Sequence, residues 1–249
     1  MQESLTMALI TVIGRGHSGT RAISHTLYAS GVFMGSQLNP SGDKIPPHAM
    51  YDACRVLAQH VQWNGGLSWE FEPLLTMPID ARFEELINEY LADVIQNDAA
   101  QKGWKIPETT LVYPWIARMF PSIKFIHWIR DPRDCILGSH KTDDLRDFGV
   151  NYPQTDDVYE RRAISWLYQY RLMQATPEPE NVIQVRFEDF VLNQAATLKR
   201  LEAFLGIPLG WIIVRPDAVA RWKREPDERR YDFEFLHEAI VENGYPLTQ

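Results

Sequence analysis

The run Met7-Ala-Leu-Ile-Thr-Val-Ile13 leads directly into Gly14-Arg15-Gly16-His17-Ser18-Gly19-Thr20-Arg21, and this junction limits the fold more than any other feature of the chain. A short continuous apolar segment rich in β-branched residues predicts a strand buried on both faces, since a solvated face would show a polar residue at every second position. Ser18 to Ser30 follows, with Ile23 and Leu27 four apart, and predicts a helix with one apolar stripe. A glycine-rich loop between such a strand and helix turns backbone N–H groups and the positive end of the helix dipole toward one point, which is an anion-binding arrangement. Gly14, Gly16 and Gly19 let the backbone approach an anion with no Cβ in the way; Ser18 and Thr20 add hydroxyl donors, and Arg15, His17 and Arg21 add positive charge.

The rest of the chain alternates in the same manner. Gly35 to Pro47 reads as a loop, Pro47 to Trp63 and Asp80 to Ala100 as helices, Trp104 to Ile106 as a short strand, and Thr109 to Met119 as a helix. Ile123 to Ile129 is a second strong strand, followed by a helix over Asp131 to His140 with Pro132 in its first turn. A long helix over Val158 to Ala175, a strand over Val182 to Phe187, a helix over Ala195 to Leu205 closed by Gly206, and a helix over Phe233 to Asn243 complete the pattern. Strands alternating with helices predict an α/β three-layer sandwich with a central parallel sheet of roughly five strands, a P-loop-like nucleotide-binding fold. The expected organisation is a single domain over residues 1–249, with a helical insertion at about 35–103.

The formal net charge of −8 argues against general nucleic-acid binding, which needs clustered Lys and Arg. Two cysteines, Cys54 and Cys135, exclude a disulfide framework and a cysteine-rich metal site. Neither a signal-peptide pattern nor an apolar stretch long enough to span a membrane is found, so the expectation is a cytoplasmic protein. No spacing typical of metal ligands occurs, and no metal is expected.

The loop resembles the donor loop of sulfotransferases that use 3′-phosphoadenosine 5′-phosphosulfate, which often reads Lys/Arg-Ser-Gly-Thr-Thr; here the run is His17-Ser18-Gly19-Thr20-Arg21. Phe125 to Asp134, ending Arg130-Asp131-Pro132-Arg133-Asp134, resembles the family's strand and Arg-Asp-Pro-Arg-Asp motif. Val185-Arg186-Phe187-Glu188-Asp189-Phe190, with Phe204-Leu205-Gly206-Ile207-Pro208 behind it, is similar to the Arg-Tyr-Glu-Asp-Leu strand and its helix. Arg221-Trp222-Lys223 resembles a late Gly-Arg-Trp-Lys segment of bacterial members, and Trp104-Lys105-Ile106-Pro107-Glu108 resembles the Lys-Asp-Pro segment of tyrosylprotein-type members. The matches keep the family's order.

The resemblance implies roles. The loop residues Arg15 to Arg21 and the cations Arg221 and Lys223 would hold the donor, and Arg130 its 3′-phosphate. The family places a Ser eight residues after that Arg; here the eighth is Gly138 and the ninth Ser139, the expected contact. His17 stands where a Lys or Arg normally stabilises the bridging oxygen, and Lys105 would sit over the transferring sulfuryl group. The base that takes the acceptor's proton is sought in Asp43 and His48, with Glu70 and Glu72 behind them. The acceptor would be a small-molecule, carbohydrate or peptide hydroxyl, or an amine, near Trp63, Trp69, Trp104 and Trp115. Two rival readings remain. One is a phosphotransferase or kinase on the same fold, although Thr20 stands where the nucleotide triphosphatase loop has Lys and Asp131 would have to hold Mg²⁺; the other is a non-catalytic nucleotide-binding relative.

Overall fold

The computed structural model describes residues 8–247; Met7, the first residue of the expected strand, lies outside the described residues. In chain order the elements are β1 (Ala8–Ile13), α1 (Thr20–Ala29), α2 (His48–Ala58), β2 (Gln62–Trp63), β3 (Trp69–Glu70), α3 (Glu72–Thr76) and α4 (Ala81–Ile95). Then come β4 (Gln101–Lys105), a 3₁₀ segment (Pro107–Val112), α5 (Tyr113–Met119), β5 (Lys124–Ile129) and α6 (Pro132–Cys135). The last third holds α7 (Val158–Ala175), β6 (Val182–Arg186), α8 (Phe187–Leu192), α9 (Gln194–Leu205) and α10 (His237–Glu242).

Among the described residues the main sheet has four strands, not the roughly five expected, in the order β4-β1-β5-β6. Every pairing in it is parallel. The two remaining strands, β2 and β3, form a separate antiparallel hairpin between α2 and α3. β1 lies inside the sheet because its side chains are apolar on both faces. Ile10 and Val12 pack with Ile126, Trp128 and Val185 against α1, α8 and α9. Ile13 packs with Trp104 and Phe125 on the other face, against α2, α4, α5 and α7. The two clusters make the outer interfaces of a three-layer α/β sandwich, and no helix of the described residues is long and apolar enough to cross a membrane.

The helix expected over Asp131 to His140 is one turn long. Asp131 caps it by accepting from the Arg133 N–H at 2.9 Å, and Ile136 ends it. The chain then turns so that His140 and Asp143 cap a second short turn reciprocally. A continuous helix would carry Gly138 and His140 away from the loop at residues 14–19, whereas the break lays both against it.

Parallel strands point their C-terminal ends to one edge, and the change in strand order opens a crevice there. At this edge β1 delivers the glycine-rich loop, β4 ends on Lys105, β5 runs into Arg130, and β6 runs into Phe187.

Candidate functional site

A cleft of about 430 Å³ opens at this edge, and it is lined on one side by His17, Gly19, Thr20, Arg21, Lys105 and Arg130. Asp43, His140, Phe187, Arg215 and Arg221 complete the polar and aromatic parts of its wall.

Gly19 has φ +85°, and a Cβ on it would stand 2.5 Å from the Phe187 ring. Only glycine meets both demands. α1 begins immediately afterwards with no side-chain cap, so its first N–H groups and dipole are left for a ligand. His17 also has positive φ, +62°, a conformation that costs a non-glycine residue on the order of 1 kcal/mol or more and is concentrated at functional loops.

The predicted loop cations divide by direction. Arg15 is buried behind the loop, donating to Asp143 at 2.6 Å and to the Cys135 carbonyl at 3.2 Å. Arg21 stays at the cleft, donating to Ser41 Oγ at 2.9 Å. His17 lines the cleft, but its Nε2 meets the Ser139 carbonyl; a carbonyl only accepts, so Nε2 carries the proton and that proton is already engaged. Burial lowers the imidazole pKa, with the nearby Arg15 acting in the same direction, so His17 is neutral at pH 7. Of the two forms open to it, charged and neutral, the neutral one is favoured by these surroundings.

A Cβ on Gly138 would collide with His17 Nδ1. The two departures from the family pattern are therefore a single steric fact: the His17 ring fills the space that a serine side chain at position 138 would need. Ser139 contributes its carbonyl to His17, and its side chain is not in the cleft wall. The variant Gly138→Ser is expected to lose about 1–3 kcal/mol through overpacking. His17→Ala in the same chain should recover most of that loss in denaturant titrations. Simple additivity of the two changes would show that the contact does not matter.

His140 was not singled out by sequence, yet its ring lies so close against Gly16 that a Cβ there would overlap it, and it stands edge-on to His17 at 6.2 Å. Its Nδ1 accepts from the Thr142 N–H at 3.2 Å, which leaves the proton on Nε2. Burial, then Arg15, push its pKa down to about 4, so it too is neutral at pH 7.

Arg130 ties the loop to the rest of the cleft wall. It donates to the His17 carbonyl at 3.1 Å, to Asp134 at 3.0 Å and to the Ala218 carbonyl, with its guanidinium 4.4 Å above the Phe187 ring. Asp134 also accepts from the Trp222 N–H at 3.0 Å, which fixes Arg221 at the cleft. Lys223 is exposed and outside the wall, 5.3 Å from the Trp222 ring. Asp131 takes three hydrogen bonds from Arg133 at 2.8–2.9 Å, so its oxygens are occupied away from the cleft.

Lys105 is buried at the end of β4 and donates to Asp43 Oδ1 at 2.5 Å and to the Ser41 carbonyl at 3.0 Å. Burial lowers its pKa, and Asp43 opposes that shift. Asp43 Oδ2 also accepts from Asn39 at 2.9 Å. Of the base candidates, Asp43 alone lines the cleft. His48 is exposed at the start of α2, Glu70 caps the Glu72 N–H at 2.9 Å, and Glu72 is exposed on α3. Trp104 and Trp115 are fully buried core residues, Trp69 is nearly so, and Trp63 bonds the Gly66 carbonyl on the hairpin.

Behind Lys105, the buried carboxyl of Glu108 is pushed up from 4.5 to about 7 by burial, and the nearby Asp43 adds to the rise. The folded state therefore holds this proton more tightly than the unfolded chain. Its favourable contribution is complete below pH 4.5 and is lost as pH rises through 7. Glu108→Gln should accordingly leave stability unchanged near pH 4.5 and raise it by about 3 kcal/mol at pH 8. Melting curves across that range test it, and a constant difference would show that Glu108 does not titrate there.

An uncapped helix start, a cationic crevice at the C-terminal edge of a parallel sheet and a glycine loop define a P-loop-like α/β protein. The chain belongs to the sulfotransferase family, whose sequence profile matches residues 10–211. A Caenorhabditis elegans protein whose name carries the words protein-tyrosine sulfotransferase is 23% identical over 167 residues, 64% of this chain and 61% of that protein. In three dimensions the chain is similar to the sulfotransferase domain from the curacin biosynthetic pathway, with TM-score 0.54, 13% identity, and 97% and 99% of the two chains covered. It is also similar to a sulfotransferase from Alicyclobacillus acidocaldarius, with TM-score 0.50, 15% identity, and 96% of each chain covered. At such identities the structural likeness is one of fold.

Proposed function

We propose that the protein transfers a sulfuryl group from 3′-phosphoadenosine 5′-phosphosulfate to a hydroxyl or amine of an acceptor, and the observation that carries this reading is the buried Lys105–Asp43 pair on the cleft wall. The cleft suits such a donor: its volume is that of a nucleotide-sized site, and the uncapped start of α1 with Arg21, Arg130 and Arg221 supplies donors for phosphate groups. Lys105 would turn from Asp43 to the bridging oxygen. The bond from that oxygen to sulfur breaks, the acceptor oxygen or nitrogen forms the new bond to sulfur, and 3′-phosphoadenosine 5′-phosphate leaves with the charge that Lys105 balances. Asp43, released from Lys105, takes the acceptor's proton. Thus one ion pair supplies both the electrostatic group and the base, and the neutral His17 and His140 shape the loop.

The acceptor side is formed by the segment at about 35–103, and peptide, carbohydrate and small-molecule hydroxyls are all candidates; the likeness to the worm protein favours a peptide test first. Both cysteines are free and buried, which fits a reducing, cytoplasmic setting. The phosphotransferase reading is disfavoured by the Arg133 hold on Asp131. Calorimetry with 3′-phosphoadenosine 5′-phosphate and with ATP-Mg²⁺ separates the two, and tight binding of ATP-Mg²⁺ alone would end the sulfotransferase reading. Acceptor screening with labelled donor then tests turnover. Donor-product binding without transfer to any acceptor class would favour a binding protein.

A further inference from the structure

Beside the glycine-rich loop lies a cavity of about 30 Å³ lined by Gly14, Arg15, Ser18, Arg130 and Gln169, with His127 on its wall. Four side-chain atoms of these residues are buried without a hydrogen-bond partner: Arg15 Nε, Ser18 Oγ, Arg130 Nε and Gln169 Oε1. Burying one such polar atom unsatisfied costs about 1–3 kcal/mol, so four around one cavity call for a shared partner.

The orientation of Gln169 is fixed chemically. Its Nε2 donates to the Ser165 carbonyl at 3.2 Å and to Ser165 Oγ at 3.1 Å, while Ser165 Oγ itself donates to the Thr142 carbonyl at 2.5 Å. The amide oxygen is therefore the free end. The set then contains two donors, the guanidinium Nε–H groups, and two groups able to accept, the amide oxygen and the serine hydroxyl.

We propose that one ordered water occupies this cavity, accepting from Arg15 Nε and Arg130 Nε and donating to Gln169 Oε1 and Ser18 Oγ, so that Gln169 of α7 is a positioning residue for the donor loop and Arg130. The volume holds a water, for which roughly 10–15 Å³ of probe-filled space suffices. An anion fits worse. Each arginine already has a carboxylate partner, Arg15 in Asp143 at 2.6 Å, which also pairs with Arg162 at 3.0 Å, and Arg130 in Asp134 at 3.0 Å. The amide oxygen would face an anion as a like partial charge, and burial holds His127 neutral, its pKa down to about 4. A route for exchange exists, because His127, Tyr170 and Met173 also line a larger recess of about 340 Å³ beside Gln174 and Gln184.

The test is a high-resolution crystal structure of the full chain together with a bromide soak. A solvent peak within hydrogen-bonding distance of at least three of the four atoms, with no anomalous signal from bromide, is the expected result. Direct bonds among the four groups with no peak, or a bromide ion in the cavity, would overturn the proposal. The functional arm rests on the proposed donor: Gln169→Leu should weaken binding of 3′-phosphoadenosine 5′-phosphate about tenfold and lose the peak, whereas Gln169→Glu, which keeps the acceptor oxygen, should retain both. If the Gln169→Leu variant kept wild-type binding, the positioning role would fall. The crystallographic arm needs no donor, so its failure is distinct from failure of the functional reading.

Discussion

Replacing Lys105 by alanine is expected to lower kcat by roughly a hundred- to a thousandfold, the usual loss when one preorganised group aimed at developing charge is removed. The dissociation constant of 3′-phosphoadenosine 5′-phosphate should change far less, since the uncapped start of α1 and Arg130 remain. The reason lies in the burial of the ammonium, which leaves it poorly hydrated and already directed by Asp43 and the Ser41 carbonyl. Stability is expected to fall as well, by about 3 kcal/mol, because Asp43 loses its partner in a mostly buried setting. Asp43→Asn separates the roles: it keeps a neutral partner for Lys105 but cannot take a proton, so kcat should fall while binding of 3′-phosphoadenosine 5′-phosphate is kept. Steady-state kinetics at saturating donor decide the matter, and equal losses in turnover and donor binding would deprive Lys105 of its catalytic part.

Arg130→Ala is expected to raise the dissociation constant of 3′-phosphoadenosine 5′-phosphate about a hundredfold, equivalent to roughly 3 kcal/mol for charge-assisted hydrogen bonds at a buried guanidinium. Arg130→Lys should recover little. A single ammonium cannot reach the His17 carbonyl, Asp134 and the Ala218 carbonyl together, nor lie flat on Phe187. The loss is compounded because Asp134 would keep only the Trp222 N–H, which loosens Arg221 beside it. Calorimetry checks this directly, and binding within threefold of wild type would make Arg130 a clamp for the wall instead of a ligand contact.

Much of this arrangement is legible along the chain. The apolar runs at β1 and β5 can be satisfied only in a sheet covered on both faces, and the glycines after β1 mark the loop. The helix over Val158 to Ala175 is found with its predicted bounds, capped by Asp157. The shortness of α6 was hidden, since nothing in Asp131 to His140 forbids a helix; contacts from Gly138 to His17 and from His140 to Gly16, more than a hundred residues apart in sequence, break it.

Read along the chain, the residues specify the strand-loop-helix unit, the family, and the small set of cations and carboxylates from which a site can be made. Which of them face the ligand is settled only by packing in three dimensions. Arg15 and Arg21 are equivalent candidates in the written loop, but Asp143 draws one inward and Ser41 keeps the other at the cleft. Lys105 and Asp43 meet across 62 positions. Burial lowers the pKa of His17, and its Nε2 proton is engaged by the Ser139 carbonyl. One cause is common to all of these: a strand follows from the period of its own side chains, whereas the direction and charge of a loop side chain depend on partners that only folding brings within reach.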